Sequence, residues 1–279
     1  MNEPTKTLPP PARRVAPATA APAATATPGV EWKPIVTTGK IDGPQRVVIY
    51  GPGGIGKSTL AALAPNPIIL DVERSTMELD APRIGNIETW AHLRSLLQGH
   101  DLDGYQTVVI DTATKAEELA VAHTLATVPH EKGTRVTNLE GYGFGKGQSH
   151  VYDTFLHLLV DLDAQIRAGR NVILVAHECK DNVPNPAGDD WIRYEPNLQS
   201  PKSGKASIRN RVVQWADHVL FIGYDVLAKD GKAVGGETRT IWPVERPDHI
   251  AKSRRFSEPM QYRDATDAAV WDFVFGGAR

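Results

Sequence analysis

Arg46-Val-Val-Ile-Tyr50 runs directly into Gly51-Pro-Gly-Gly-Ile-Gly56-Lys57-Ser58-Thr59. The first stretch is apolar without alternation, as expected of a strand buried on both faces. The second fits G-x-x-x-x-G-K-[ST], set between a strand and a helix as a phosphate-binding loop must be. Gly51, Pro52, Gly53, Gly54, Ile55 and Gly56 form that loop. Its backbone N–H groups can turn inward around a β-phosphate, and the positive end of the following helix adds to the attraction. Lys57 brings a point charge to the β and γ oxygens, Ser58 offers its hydroxyl to Mg²⁺, and Thr59 closes the nucleotide-binding run. The segment predicts ATP together with Mg²⁺.

Outward from this loop, strand and helix alternate. Pro67 to Asp71, Thr107 to Asp111, Asn171 to Ala176 and His218 to Tyr224 read as strands. Helices are predicted from Lys57 to Ala64, from Thr89 to Gln98 and from the end of the Thr107 strand to Thr127. A long amphipathic helix carries Tyr152, Phe155, Leu158, Leu159, Leu162 and Ile166 at helical spacing and ends at Gly169. Residues 141 to 147 read as a flexible loop, and 181 to 205 as a polar stretch rich in proline and glycine. Lys229 to Lys232 reads as a hairpin tip with Thr238 to Trp242 returning, and Ala265 to Phe275 as a closing helix. Apolar strands with helices between them predict an α/β fold, a mostly parallel central sheet flanked by helices.

Residues 1 to 30 are dominated by alanine and proline and are expected to form a disordered tail, leaving one domain over 31 to 279. Net charge is −2 with 23% charged residues, so any nucleic-acid surface must be local. The single cysteine, Cys179, excludes an internal disulfide, and no apolar run reaches the length of a membrane span. A cytoplasmic protein is expected.

Asp111 ends an apolar strand at the sheet edge, where a Walker B acid holds magnesium; the alternative is a cap on the helix that follows. A guanine-reading N-K-x-D and an L-S-G-G-Q stretch are both missing, which argues against a GTPase and an ABC ATPase. Pro52 stands where the ParA and MinD group carries lysine. Thr112 follows Asp111, so the D-E pair of helicases and most AAA+ machines is also missing, and a catalytic carboxylate must come from elsewhere. His177-Glu178-Cys179 does not qualify as a metal triplet, because neighbours on a strand point in opposite directions and no second cysteine exists.

The order of phosphate loop, Leu70-Asp71-Val72-Glu73, Walker B strand and Ala176-His177 resembles the RecA/RadA-type P-loop ATPase core. It is similar in layout to the phage-encoded, RecA-core-only single-strand annealing ATPases (the Sak group), over roughly Lys33 to Glu258. The resemblance implies that Glu73 orients the attacking water and that His177 senses the γ-phosphate. Lys252-Ser253-Arg254-Arg255-Phe256 looks like K-N-R-F-G, implying that Lys252 and Arg254 reach a neighbouring subunit's nucleotide. It also implies a ring or filament, DNA-stimulated ATP hydrolysis in recombination, annealing or replication, and a partner protein from that process. Two loops would then meet single-stranded DNA. Residues 130 to 148 contain Arg135, Tyr142, Phe144 and Lys146. Residues 180 to 208 contain Trp191, Arg193, Tyr194, Lys202, Lys205 and Arg209, with Arg211 just beyond. A nucleotide or small-molecule kinase, or an ATP-gated loader that recruits partners through its tail, would share the same glycine loop.

Overall fold

The computed structural model describes residues 34–185, 188–202, 206–229 and 232–276. The expected tail, 1 to 30, lies outside them, as does Lys205. Two compact units divide after Ile41. The first contributes residues 34 to 41, without helix or strand; the second carries every element.

Within the second unit, β1 (Arg46–Gly51), α1 (Lys57–Ala62), β2 (Pro67–Asp71), β3 (Arg83–Ile84), α2 (Trp90–Gln98), β4 (Thr107–Asp111) and α3 (Ala113–Thr127) come first. Then follow α4 (Lys146–Arg167), β5 (Asn171–Val183), β6 (Trp191–Pro196), α5 (Ile208–Trp215), β7 (His218–Lys229), β8 (Lys232–Trp242), β9 (Met260–Gln261) and α6 (Ala269–Phe275). The main sheet runs β3-β2-β4-β5-β1-β7-β8-β9, with β6 paired to β5. Contacts from β3 through β7 are parallel, and those of β7 with β8, β8 with β9 and β5 with β6 are antiparallel. The mostly parallel sheet predicted from unalternating apolar runs is therefore present.

Both sheet faces are dry. Val48, Tyr50, Leu70, Ile110 and Leu174 pack on one side against α2, α3, α4 and α5. Val47, Ile49, Ile69, Val109 and Ile173 pack on the other against Leu60 of α1 and Trp271 and Val274 of α6. Odd and even residues of one strand thus serve two cores, which is why these strands lack a polar stripe. The register aligns the strand ends: Gly51 lies opposite His177, Asp71 opposite Asp111, and Asp111 opposite Val175. Loops carrying the candidate chemistry consequently leave the sheet at one edge, the carboxyl ends of its parallel strands.

Three expectations need correction. The 141 to 147 stretch is not a loose loop: Leu139–Tyr142 forms a 3₁₀ turn and α4 already begins at Lys146. The polar stretch after residue 181 contains β6, which pairs with the extended end of β5 to form a two-stranded ribbon. The closing helix starts at Ala269, four residues later than expected. Among the described residues no helix is long and apolar enough to cross a membrane.

The 3₁₀ turn lies hard against the start of α4, where a Cβ at Gly147 would sit 2.3 Å from the Leu139 carbonyl oxygen. Gly147→Ala should destabilise the chain by about 1–3 kcal/mol, read as a lower urea midpoint at unchanged m-value. An unchanged midpoint would mean that the turn yields freely.

Candidate active site

The loop between β1 and α1 is shaped by what surrounds it. Gly51 has φ 154°, and a Cβ there would come within 2.2 Å of the Ile222 carbonyl oxygen on the neighbouring strand. Ile55 is wholly buried and anchors the loop in the core, while Gly53 and Gly54 are exposed. Gly56 caps α1 in the left-handed region, and no side chain caps the helix. The first N–H groups of α1 are thus left for an anion. Lys57 is buried and folds back, its amine donating to the carbonyl oxygens of Gly51 (2.8 Å) and Pro52 (2.7 Å). Burial pulls its pKa below the usual lysine value, and Asp111, Glu178 and Glu73 oppose that, in this order of strength.

Thr112, not Asp111, caps α3: its hydroxyl oxygen accepts from Lys115 N at 3.1 Å. The helix-cap alternative for Asp111 is therefore not realised. Asp111 is wholly buried, and neither carboxylate oxygen has a hydrogen-bond partner. Burial pushes its carboxyl from 3.8 up to about 6; the nearby Ser58 hydroxyl pulls it back, while Asp71 and Glu73 raise it further. A buried carboxylate without a partner is costly. Ser58 and Asp111 together supply the hard oxygen donors that Mg²⁺ accepts, so these residues fit the ion implied by the loop.

Glu73 is delivered by backbone bonds, since Val72 N and Glu73 N both donate to the Asp111 carbonyl oxygen, at 2.9 and 3.2 Å. Asp71 is spent on shaping the turn, accepting from Ser75 N, Thr76 N and the Thr76 hydroxyl. Glu73 then meets His177, whose Nε2 lies 3.0 and 3.2 Å from the two carboxylate oxygens. His177 is held at both ends of its backbone: its N–H donates to Thr114 Oγ1 and its carbonyl accepts from Asn197 N. Lys57, Ser58, Glu73, Asp111 and His177 therefore converge at one sheet edge.

Sequence reasoning weighed Glu178 only as part of the rejected metal triplet. Its Oε2 is buried without a hydrogen-bond partner, and burial raises its pKa against the pull of Lys180 and Lys57. Only its place directly after His177, two residues past the predicted strand end and inside the observed β5, could have drawn notice.

Lys252 and Arg254 lie elsewhere. Lys252 pairs with Val219 at the start of β7 and its Nζ donates to the Gln214 carbonyl oxygen at 3.4 Å. Arg254 pairs with Asp217 at 3.2 Å, and Asp217 also accepts from Arg46 N at the start of β1. Both cations occupy the amino-terminal edge of the sheet, opposite the phosphate loop, and cannot act on their own chain's site.

Of the expected DNA contacts, Tyr142 is overturned. It is buried, its hydroxyl donating to the carbonyl oxygens of Val128 (2.6 Å) and Thr124 (3.3 Å), so its ring cannot stack on a base. Phe144 is fully exposed, with φ 45° between two glycines also at positive φ. Arg135 and Lys202 are exposed, and Lys146 pairs with Glu131. Arg193 of the ribbon is tied to Glu195 and Glu245, Arg209 of α5 to Glu195 and Asp181, and Tyr194 stacks on Phe221. Those three are committed to the fold rather than presented to a ligand.

The Asp111 carboxyl makes a pH prediction. Between about pH 4 and 6 the folded chain keeps a proton that the unfolded chain has released, so nucleotide-free stability falls as pH rises. Asp111→Asn should remove roughly 3 kcal/mol of that fall, measured by urea unfolding in EDTA across pH 4 to 7. Glu117, raised to about 7 by burial, contributes its own slope equally to both proteins. An identical slope in the variant would assign the proton elsewhere.

Comparison with known proteins gives a family match and similarities to solved structures, two of which follow. A family model described as an AAA domain, AAA_24, matches residues 43 to 255. A KaiC-like protein from Pyrococcus horikoshii OT3 aligns at 13% identity and TM-score 0.42, covering 78% of this chain and 85% of its own. The flagellar accessory protein FlaH from Methanocaldococcus jannaschii aligns at 8% identity and TM-score 0.35, covering 72% and 78%. Both similarities are too weak to add to the strand order seen directly in the sheet. No curated protein matches the sequence. The AAA match stands although the D-E pair is missing at Asp111-Thr112, the acids beside Lys57 coming instead from Glu73 and Glu178. The phosphate loop and the orphaned Asp111 carboxylate lie within the matched residues, and the match spans most of the sheet: this chain belongs to the AAA_24 family of AAA domains.

Proposed function

We propose that this AAA-type P-loop domain binds and hydrolyses ATP with a RecA-like arrangement of residues, and that it acts on single-stranded DNA in phage-type recombination, annealing or replication. The observation that carries the hydrolysis reading is the Glu73–His177 pair, at 3.0 Å, on the same edge as Lys57 and the partnerless Asp111. The loop amides hold the β-phosphate, and Lys57 exchanges its two carbonyl contacts for phosphate oxygens. Ser58 and Asp111 would hold Mg²⁺, which when bound would supply positive charge against the phosphates. Glu73 orients a water for attack on the γ-phosphorus and accepts its proton as the bond to the bridging oxygen breaks and ADP leaves. His177 fixes the carboxylate and reports on the γ-phosphate.

Support for the DNA half is compositional and positional. Phe144 offers a free ring, with exposed Arg135 from the same loop and Lys202 from the second. Stacking on such rings contributes about 1–3 kcal/mol per base. In the oligomer this reading implies, Lys252 and Arg254 would serve the site of an adjacent copy.

Lys57→Ala should abolish nucleotide turnover, and Glu73→Gln should bind ATP but hydrolyse it about 10²–10⁴-fold more slowly. Hydrolysis at the wild-type rate by Glu73→Gln would remove Glu73 from its assigned role. Single-stranded DNA should raise the ATPase rate, and Phe144→Ala should weaken DNA binding about ten-fold. A rate indifferent to DNA would leave the ATPase and sink its proposed target.

A further inference from the structure

The phosphate loop is held from behind by elements far along the chain. Arg239 of β8 donates through Nη1 to the Ile55 carbonyl oxygen at 2.9 Å and through Nη2 to the Arg263 carbonyl oxygen at 3.3 Å. Its guanidinium lies 4.4 Å above the ring of Tyr262, the residue after β9. The Tyr262 hydroxyl donates to the Gly56 carbonyl oxygen at 3.2 Å, and Trp271 of α6 donates Nε1 to the Leu60 carbonyl oxygen at 2.9 Å. Tyr262 is fully buried, and with Trp271 it falls beyond the residues that the family model matches.

A trans peptide unit is planar, so its C=O and N–H point in opposite directions. The Ile55 carbonyl shares a unit with the Gly56 N–H, and the Gly56 carbonyl shares one with the Lys57 N–H. Fastening those two carbonyls therefore fixes the direction of the two amides on the other side. Gly56 also has to be glycine for the fastening to reach it: a Cβ would lie 2.8 Å from Tyr262 Cε1 and 3.1 Å from Arg239 Nη1. The guanidinium is itself held, by the Tyr262 ring beneath it and by the Arg263 carbonyl, so it is set in place before any ligand arrives.

We propose that Arg239 and Tyr262 are positioning residues that aim the Gly56 and Lys57 amides at the β-phosphate of a nucleoside di- or triphosphate. The proposal rests on the ATP-binding reading above and adds the C-terminal strands to the nucleotide site. Because ADP and ATP share the β-phosphate, both should depend on the two residues alike. The γ-phosphate chemistry at Glu73 should be nearly indifferent to them.

The test is equilibrium binding of fluorescent ADP and of a non-hydrolysable ATP analogue with Mg²⁺ to full-length Arg239→Ala, Arg239→Lys and Tyr262→Phe. Saturating kcat and the unfolding midpoint are measured beside it. Arg239→Ala should weaken both nucleotides about ten-fold or more, and Tyr262→Phe about five-fold. The kcat should stay within about two-fold, and Arg239→Lys should recover part of the loss because it keeps a charged donor. Lower unfolding midpoints with unchanged Kd values would mean a purely structural role and overturn the proposal, as would loss of ATP binding alone. Should Arg239→Ala not fold, the single-hydroxyl change in Tyr262→Phe decides by the same criteria. Failure of the wild-type chain to bind either nucleotide is a different result, which would overturn the ATP reading and the proposal with it.

Discussion

Asp111 is a carboxylate that the fold buries and then leaves without a hydrogen bond, and much of the surrounding structure follows from that. Moving such a group from water is expensive unless it is neutralised or paired. Here most of the usual local remedies are withheld, the nearby Ser58 hydroxyl alone easing the charge from a side chain without a charge of its own. Thr112 takes the helix cap, and the Asp111 carbonyl rather than its carboxylate receives the amides of Val72 and Glu73. Lys57 is near enough to lower its pKa, yet its amine is turned onto loop carbonyls. Three carboxylates, from Asp111, Glu178 and Glu73, face one lysine. Such a site is matched by a ligand that brings its own cation along with its phosphates.

Satisfying that charge from the front requires the loop to be firm from behind, since backbone amides provide directed charge only while their peptide planes stay fixed. The two cores divide the work. Residues on one face, including Tyr50 and Phe221, secure the strand that enters the loop; the Tyr50 hydroxyl reaches the carbonyl oxygens of Ile250 and Tyr194. The other face secures the loop's exit, with Ile55, Leu60, Tyr262 and Trp271 in one cluster. Entry and exit are thus restrained by different halves of the hydrophobic core, and the glycines between them need few contacts of their own.

How much of this could be read from the sequence depended on whether a feature leaves a local pattern. Buried parallel strands do, so β1, β2, β4 and the inner part of β5 stood out as apolar runs. Glu73 and His177 are 104 residues apart, and it was motif order, not any local pattern, that placed them at one edge. The ribbon of β5 and β6 escaped notice because its outer part is exposed and polar, which resembles a loop. Tyr142 misled for a related reason: an aromatic with a hydroxyl suits a base stack or a buried site with two carbonyl acceptors, and only folding reveals the acceptors. Arg239 was invisible because it binds a backbone carbonyl 184 residues away, and every residue's backbone offers the same oxygen.

The amino-terminal edge of the sheet shows the limit of transferring a motif by order alone. Lys252 and Arg254 match their pattern in spacing, yet within one chain Arg254 pairs with Asp217 and Lys252 bridges to β7. Asp217 already accepts from Arg46 N, so the cluster fastens the starts of β1 and β7 together. A cation used this way is not idle. Arg254 remains largely exposed, and an exposed ion pair holds by about 1 kcal/mol or less, so it can be exchanged for a stronger anion without unfolding the edge. The parallel pairing of β1 with β5 and β7 puts the sheet between these cations and their own phosphate loop. Any catalytic use of them therefore requires a second molecule presenting its amino-terminal edge to this one's carboxyl edge, a head-to-tail contact. The same strand polarity that gathers Lys57, Glu73, Asp111 and His177 at one edge thus dictates the only direction from which further positive charge of this motif could come.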